Sequence, residues 1–320
     1  MLRSSFVTQP DHPPMPTSSS NQTISYLGRR FAETGIRLSS RHGQHFLVDQ
    51  NLLQLIVDRA AVDKRDVVLE VGTGIGSLAV LMAPRAAAVV TVEIDEQLHC
   101  LAAEELMGHE NVVMLRADAL ANKSNLNPLL IAAVEKQLAA APGRRLKLVA
   151  NLPYNVATPI VANLLSSRIV PDSMTMTLQK EVADRFVART GSKDFGAISV
   201  WLQSQCELEL VRALPPSVFW PRPKVNSAIV HIELDKARRA RIADLAFFHD
   251  FSRALFLHRR KFLRSVLVGA FKNRLDKTDV DRVLAECAVR PDSRTDQLDV
   301  ATILRLSEAV GRALAAGPSP

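Results

Sequence analysis

The sequence predicts an α/β fold in which a mostly parallel sheet of seven strands precedes a small, all-helical C-terminal domain. Two observations support this prediction. Five short apolar runs alternate with helical stretches between residues 49 and 178, a pattern typical of a parallel sheet that is covered on both faces. Residues 235–312 then show helical periodicity without a strand-like run. At 320 residues and 47% hydrophobic composition, the chain is long enough to form two such domains.

The individual elements follow from local patterns. Asp49 can cap a helix, because apolar residues recur every three or four positions from Leu52 to Ala60. A second helix is predicted over residues 127–141, and Pro142 and Gly143 end it. The predicted strands are residues 67–71, 89–94, 112–115, 146–150 and 174–178, followed by a hairpin of residues 207–213 and 226–234.

The composition excludes several classes of protein. No stretch approaches the roughly 18 apolar residues of a membrane span. The three cysteines are widely spaced, which excludes a disulfide framework and a paired-cysteine metal site and fits the reducing cytoplasm. Forty lysines and arginines against 33 acids give a net charge of +7. This excess favours an acidic partner, with nucleic acid as the first candidate.

The ends of the chain and the domain boundary also differ in composition. The first 22 residues hold four prolines and three consecutive serines but no apolar segment of the signal-peptide type. They therefore predict a disordered tail. Because strand-like runs stop near Asp235, the expected units are this tail at 1–22, a ligand-binding α/β domain at 23–234 and a helical domain at 235–316.

A glycine-rich loop follows the first predicted strand. Residues 67–78 read VVLEVGTGIGSL, in which Gly72, Gly74 and Gly76 allow a tight turn and close approach of a ligand to the backbone. Such a loop occurs in proteins that bind dinucleotides and in proteins that bind S-adenosylmethionine. The dinucleotide fingerprint needs a glycine at position 77, where this chain has Ser77. An NAD-dependent oxidoreductase is therefore disfavoured.

Two acidic residues follow the next two strands. Glu93 ends the second strand, where a carboxylate can accept hydrogen bonds from both ribose hydroxyls of an adenosine-containing cofactor. Asp118 follows the third strand and can accept from the exocyclic amine of the cofactor adenine. Each residue alone is equally well explained as a helix cap or a solvated strand end. Their positions at successive carboxyl ends favour a cofactor site, because ligands of open α/β sheets bind there.

The tetrad Asn151-Leu152-Pro153-Tyr154 ends the fourth predicted strand and is the most informative motif. Pro153 stops strand pairing, so the Asn151 side chain and a neighbouring carbonyl can accept both hydrogens of an exocyclic amine. Tyr154 offers a flat face on which a base can stack. The tetrad thus predicts methylation of the amino nitrogen of an unstacked base, by positioning and electrostatics and without a metal. A strand-terminating turn with a core tyrosine is the simpler alternative, and the preceding glycine loop and acids weaken it.

With these residues in place, the chain resembles the ribosomal RNA adenine N6,N6-dimethyltransferase family, specifically the bacterial small-subunit dimethyladenosine transferases. The resemblance extends from about Tyr26 to Leu306. Its blocks are GQHFLVD (43–49), LEVGTGIGSL (69–78), VEID (92–95), RADAL (116–120), NLPYNVATPI (151–160), LQKEVADRFVA (178–188), FGAISV (195–200), PPSVFWPRPKVNSAIV (215–230) and FLHRRKFLRSVL (256–267).

The resemblance implies a class I S-adenosylmethionine-dependent methyltransferase, which is Rossmann-like, with a helical domain that helps to hold RNA. It implies dimethylation of N6 of two adjacent adenines near the 3′ end of 16S rRNA, in the immature 30S particle, by a cytoplasmic monomer that uses no metal. Phe219 would form a second wall for the target base beside Asn151, Pro153 and Tyr154. The implied cofactor contacts are His45, Leu47, Gly72, Gly74, Glu93, Asp118 and Asn151.

Three positions depart from the family's pattern. Thr73 stands where proline is usual in the glycine loop, His45 where asparagine is common, and Phe195 where tyrosine is expected. His45 weakens one cofactor contact, because imidazole offers at most one acceptor nitrogen. None of these changes touches the tetrad, so we expect activity to be retained.

A basic segment lies in the helical part. Between Phe251 and Lys277 eight lysines and arginines accompany a single acid. Apolar residues at helical spacing, among them Phe262 and Leu263, predict the core face of one long helix whose outer face carries the cations. Such a face is commonly only solvated, but in a base-methylating enzyme it predicts contacts with RNA phosphates. The predicted RNA-binding residues are Arg259, Arg260, Lys261, Arg264 and Lys224.

Two further functions stay open at this point. A large-subunit rRNA adenine methylase shares the glycine loop and a similar tetrad, although the blocks at 219–230 and 259–267 favour the small-subunit branch. A non-catalytic ribosome-assembly factor would bind rRNA with the same fold. The intact Glu93, Asn151 and Tyr154 argue against that second alternative.

Overall fold

A computed structural model describes residues 24–35 and 44–316 of the chain. The predicted tail at 1–22 lies outside the described residues. The strands are β1 (Phe46–Leu47), β2 (Asp66–Val71), β3 (Ala88–Glu93), β4 (Val112–Arg116), β5 (Leu120–Asn122), β6 (Asn125–Leu126), β7 (Arg145–Asn151), β8 (Ser173–Gln179), β9 (Cys206–Leu214), β10 (Phe219–Trp220) and β11 (Ser227–Leu234).

Thirteen α-helices lie within the described ranges. They are α1 (Ile24–Thr34), α2 (Gln50–Ala60), α3 (Ser77–Met82), α4 (Glu96–Glu105), α5 (Pro128–Ala139), α6 (Ala157–Ser166), α7 (Lys180–Phe186), α8 (Ala197–Gln203), α9 (Lys236–Ala240), α10 (Leu245–Phe256), α11 (Leu263–Ala270), α12 (Lys277–Glu286) and α13 (Val300–Ala316). None of the helices in the described part of the chain is both long enough and apolar enough to span a membrane.

The central sheet has seven strands in the order β4-β3-β2-β7-β8-β11-β9. The first five are parallel to one another, and β11 runs antiparallel to both of its neighbours. The predicted fold class is thereby confirmed, and each predicted strand agrees with an observed one to within one residue at either end. Strands β2, β3 and β7 are nearly fully buried, which explains why they are continuous apolar runs in the sequence.

Helix caps agree with the predictions made from local sequence. The Asp49 side chain accepts a hydrogen bond from the backbone N–H of Leu52 at the start of α2, and all the predicted apolar positions of that helix are buried. Asn127 caps α5 in the same way through the N–H of Leu129, with Pro128 in the first turn.

The helical part shares its core with the sheet. Trp201 of α8 packs against Phe248 of α10, with 6.2 Å between ring centroids, and both rings are buried. Phe195 contacts Phe256 edge to face at 5.8 Å. Apolar contact therefore continues across Asp235, whose side chain caps α9. The division into two domains at this residue stays a prediction.

We expected one long helix through the block RRKFLRSVL (259–267), and this prediction is wrong. Helix α10 ends at Phe256, a turn over 257–262 follows, and α11 begins at Leu263. Phe262 is extended (φ −61°, ψ 140°) and forms an isolated antiparallel bridge with Arg294, while the N–H of Leu263 donates to the carbonyl of Ser293 at 2.8 Å. These long-range bonds break the helix, and Phe262, expected on a core face, is 54% exposed.

Candidate active site

A cavity of about 330 Å³ lies at the carboxyl end of the parallel strands. It is bounded by the segment before α2, the glycine loop after β2, the end of β3, the residues after β4 and the tetrad after β7. The structure thus brings together most of the residues predicted from separate motifs. Those that line the cavity are His45, Gly72, Gly74, Glu93, Asp118, Asn151, Pro153 and Tyr154.

The glycine loop has the backbone that only glycine adopts easily. Gly72 and Gly74 have φ of +84° and +57°, and the N–H of Gly72 donates to the carbonyl of Val92 at 2.9 Å. A Cβ on Gly72 would stand 3.1 Å from Pro153 Cδ, and one on Gly74 would stand 3.0 Å from the Phe46 ring. The loop is therefore packed between the tetrad and Phe46.

Glu93 is a buried carboxylate at the cavity wall, only 5% exposed. Its Oε2 accepts from the N–H of Gly74 at 2.9 Å, and its Oε1 accepts from the N–H of Asp95 at 3.0 Å. Burial raises the pKa of Glu93 above its ordinary value, and the backbone N–H groups oppose that shift. Each oxygen keeps lone-pair capacity for a ligand hydroxyl.

Asp118 lines the same cavity and is more exposed than Glu93. It is exposed, and its Oδ1 accepts from the N–H of Leu120 at 2.9 Å. Its own carbonyl accepts from the Asn127 side chain at 2.9 Å, which ties the segment to the start of α5. Asp118 is therefore held in place with one carboxylate oxygen directed away from that turn.

The sequence analysis missed several apolar residues that line the same cavity. Ile94 is 45% exposed and lines the cavity with Glu93 and Asp118, and Phe46 packs against Gly74. The available sequence signal was an apolar residue, Ile94, directly after the acid that ends β3. Phe46 lies in the GQHFLVD block between the two predicted contacts His45 and Leu47, and its strand pairs with β10, about 170 residues away in the chain.

Asn151 is half-buried and is held by two hydrogen bonds. Its Nδ2 donates to the carbonyl of His45 at 2.7 Å, and its Oδ1 accepts from the hydroxyl of Thr177. Thr177 is the residue directly opposite Asn151 in the parallel pairing of β7 with β8. Only one lone pair of Oδ1 is used in this way, so the oxygen can accept a further hydrogen bond.

Tyr154 stands beside Asn151 with its ring at the cavity. Its hydroxyl is 2.5 Å from the hydroxyl of Ser227, the first residue of β11, and its ring lies 5.2 Å from the imidazole of His45. Burial raises the pKa of Tyr154 further above its ordinary value, so the phenol stays neutral near pH 7. The Tyr154 side chain is therefore held by its hydroxyl and by the neighbouring ring of His45.

Two of the expected site residues do not line this cavity. Leu47 and Phe219 are partners in the β1–β10 pairing, and both are buried in a cluster that includes Leu53 and Ile56. Phe219 is 2% exposed, so in this structure its ring is part of the core. Its role as a second wall for the target base stays a prediction, and the ring that the structure places beside Tyr154 is that of His45.

Two of the predicted RNA-binding arginines already form hydrogen bonds and ion pairs within the protein. Arg259 donates to the carbonyl of Lys193 at 2.8 Å and pairs with Asp296 at 3.1 Å. Arg264 forms two hydrogen bonds with Asp281, at 2.6 and 2.8 Å.

The other predicted cations are exposed. Arg260 and Lys261 lie in the turn at 257–262, and Lys224 lies in the loop before β11. Among residues 24–35 and 44–316, none of these three forms an ion pair, and no group of three or more His, Cys, Asp or Glu side chains is placed to hold a metal ion.

The comparisons agree with this geometry. A family model described as "Ribosomal RNA adenine dimethylase" matches residues 35–306. The "Ribosomal RNA small subunit methyltransferase A" of Streptococcus thermophilus is 36% identical over 280 residues, which cover 87% of this chain and 94% of that protein.

Two solved structures share the fold. The crystal structure of a dimethyladenosine transferase from Plasmodium falciparum aligns with a TM-score of 0.69 at 22% identity, over 83% of this chain and 97% of that one. The crystal structure of the 23S rRNA methyltransferase ErmE aligns with a TM-score of 0.57 at 25% identity, over 83% and 99% of the two chains.

Proposed function

The chain belongs to the ribosomal RNA adenine dimethylase family, and from that premise we propose that it dimethylates N6 of two adjacent adenines near the 3′ end of the small-subunit 16S rRNA. S-adenosylmethionine is its methyl donor. The observation that carries the proposal is the meeting of Asn151 and Tyr154 with Gly72 and Glu93 in one cavity at the end of β7.

The acceptor groups and apolar surfaces of the cavity match the hydroxyls, the amine and the adenine ring of this cofactor. Glu93 can accept from the ribose hydroxyls, and Asp118 can accept from the adenine amine. Ile94 offers an apolar face for the adenine ring between these two acids. The bare backbone of Gly72 allows close approach of the methionine portion. When bound, the cofactor supplies an electrophilic methyl group on a sulfonium.

The tetrad would bind and orient the target adenine. The base stacks on Tyr154, and Asn151 Oδ1 accepts one hydrogen of the exocyclic amine beside its bond from Thr177. We assign the second hydrogen to the carbonyl of Leu152, because the carbonyl of Pro153 already accepts from the N–H of Val156 at 3.1 Å. Two acceptors withdraw the amine lone pair from the ring and direct it at the methyl group.

Ribosomal RNA is the substrate, and we propose the immature 30S particle as its form, with the enzyme acting as a monomer in the cytoplasm, where subunits assemble. The alternative of a large-subunit methylase is disfavoured, because the curated relatives of this chain at about 36% identity are small-subunit methyltransferases by name. The intact cavity disfavours a binding factor without activity.

Transfer of labelled methyl groups to unmethylated small subunits tests the function. We expect dimethyladenosine in the small-subunit rRNA, and label confined to large-subunit rRNA would overturn the proposal. Asn151→Ala should lower kcat by about 10²–10³-fold, since it removes the acceptor that we place on the amine. Thr177→Val is the matched variant, because it keeps Asn151 and removes only the hydroxyl that orients it.

Both variants should lower kcat, and they should differ only in the size of that decrease. Thr177→Val should lower kcat about 3- to 10-fold, which corresponds to one hydrogen bond. Both should bind rRNA with little change, as measured by filter binding, and Thr177→Val should also bind S-adenosylmethionine with little change, as measured by calorimetry. A near-normal kcat for Asn151→Ala, in a folded protein, would refute the assigned role.

A further inference from the structure

Phe262 is a large aromatic side chain that the fold leaves in solvent. Its ring is 54% exposed at the end of the turn over 257–262, whereas Leu263, the next residue, is fully buried. Within the described residues no other aromatic ring packs against it. A side chain exposed to this extent offers apolar surface to a partner that can cover it.

The protein holds this exposed residue firmly. Its backbone forms the antiparallel bridge with Arg294, and the N–H of Leu263 donates to the carbonyl of Ser293 at 2.8 Å. Residues opposite one another in such a bridge have Cβ atoms about 4.5–5.5 Å apart on the same face. The side chains of Phe262 and Arg294 therefore start side by side on the same face of the bridge.

The positive charge around the ring is not neutralised by the protein. Arg294 is exposed, as are Arg260 and Lys261 in the turn itself, and none of the three forms an ion pair with a described residue. The neighbouring Arg259 and Arg264 differ, because each pairs with an aspartate. This surface thus holds two kinds of cation, arginines that pair with aspartates and cations that form no ion pair with a described residue.

We propose that Phe262 is a platform on which an unpaired base of the ribosomal RNA stacks, while Arg294, Arg260 and Lys261 bind the adjoining phosphates. A single-stranded nucleotide matches this surface because it joins a flat π face to a negative charge. A protein partner would need a wider apolar area than one ring and the neighbouring Leu257. The inference rests on the proposed function, since it names a contact for the same substrate.

The test compares Phe262→Ala, Phe262→Trp and Arg294→Ala with the wild-type chain. Leu129→Ala is the matched control, because it removes another exposed apolar side chain from the sheet domain. Binding of a short single-stranded oligoribonucleotide and of unmethylated small subunits is measured by fluorescence anisotropy over a range of salt concentrations.

The expected results separate stacking from charge. Phe262→Ala should weaken binding roughly 5- to 100-fold with an unchanged salt slope, because the loss is of a stacked base. Phe262→Trp should bind at least as tightly as wild type, with indole fluorescence quenched by the RNA. Arg294→Ala should reduce the salt slope by about 0.7–0.9. Leu129→Ala should bind as wild type does.

Three outcomes would overturn the platform. These are wild-type binding by Phe262→Ala, a loss by Phe262→Ala that is confined to the salt slope, and Phe262-dependent pelleting with vesicles of anionic phospholipid in place of RNA binding. Methyl transfer by the wild-type chain is scored separately. If it fails, the proposed function fails, whereas normal transfer with unaltered binding by Phe262→Ala removes only the platform.

Discussion

The imidazole of His45 lies against the phenol ring of Tyr154, with 5.2 Å between ring centroids and 34° between ring planes. Nδ1 of His45 donates to the carbonyl of Pro221 at 2.6 Å, and the backbone carbonyl of His45 accepts from Asn151. The side chain therefore joins the tetrad to the loop that follows β10. The side chain thus contacts a residue of the tetrad directly, and the cofactor contact that the family pattern implies stays a prediction.

His45→Ala should therefore affect the chemical step more than cofactor affinity. We expect kcat to fall about 3- to 10-fold, the size of one lost hydrogen bond, while the Kd for S-adenosylmethionine stays close to wild type. Single-turnover kinetics and calorimetry measure the two quantities. His45→Asn keeps an N–H donor for Pro221 without a ring, so it should recover part of the loss. A weakened cofactor affinity with normal kcat would restore the cofactor role.

Gly72→Ala should damage the site by contact as well as by backbone strain. The residue has φ +84°, and its new Cβ would stand 3.1 Å from Pro153 of the tetrad. Gly191 is the matched control, because it has φ +82° with open space around a Cβ. Gly191→Ala should lose about 1 kcal/mol of stability at unchanged activity. Gly72→Ala should lose a similar amount and also lower kcat/KM at least tenfold, and equal activities of the two variants would contradict the packing argument.

Much of the fold was predictable because its signals are local. Parallel strands buried on both faces appear as continuous apolar runs, and Asp49 and Asn127 mark helix starts by their capping chemistry. The order of the loops at one edge of the sheet then follows from parallel topology. That topology is why Gly72, Glu93 and the tetrad were expected together before any contact between them was known.

The rest of the site depends on pairings that no local pattern encodes. Thr177 reaches Asn151 through strand register, and Phe219 is drawn into the core by its pairing with Leu47. The turn at 257–262 follows from long-range bonds to residues near Ser293, which override a helical pattern in the sequence. In each case the deciding partner lies far away in the chain.

We expect Arg259 to stabilise the fold, and we expect its neighbours Arg260 and Lys261 to bind RNA. Arg259→Ala removes hydrogen bonds to Lys193 and Asp296 and should cost about 1.5–3 kcal/mol of unfolding free energy, measured by urea denaturation. Joint reversal of Arg260 and Lys261 to Glu should leave that free energy within about 0.5 kcal/mol of wild type. It should instead weaken RNA binding and reduce the salt slope by about 0.7–0.9 for each lost phosphate contact. A salt slope equal to that of wild type would place the RNA elsewhere.

A buried chain of polar groups lies beneath the glycine loop. The hydroxyl of Thr91 donates to Glu70 Oε2 at 2.5 Å, and the hydroxyl of Thr73 is 2.6 Å from that of Thr91. Because Thr91 gives its only proton to Glu70, Thr73 is the donor in the second bond. The hydroxyl of the buried Thr73 therefore has a hydrogen-bond partner. Burial raises the pKa of Glu70 to about 8.

This raised pKa predicts how stability depends on pH. Between the unfolded-state pKa of about 4.5 and the folded value of about 8, the native protein holds a proton at Glu70 that the unfolded chain has lost. The free energy of unfolding should therefore fall as pH rises through this window. Glu70→Gln keeps an acceptor for Thr91 and cannot ionise, so thermal denaturation at several pH values should show a flatter profile. Glu110→Gln, at an exposed position, should retain the wild-type slope, and a profile unchanged by Glu70→Gln would contradict the assignment.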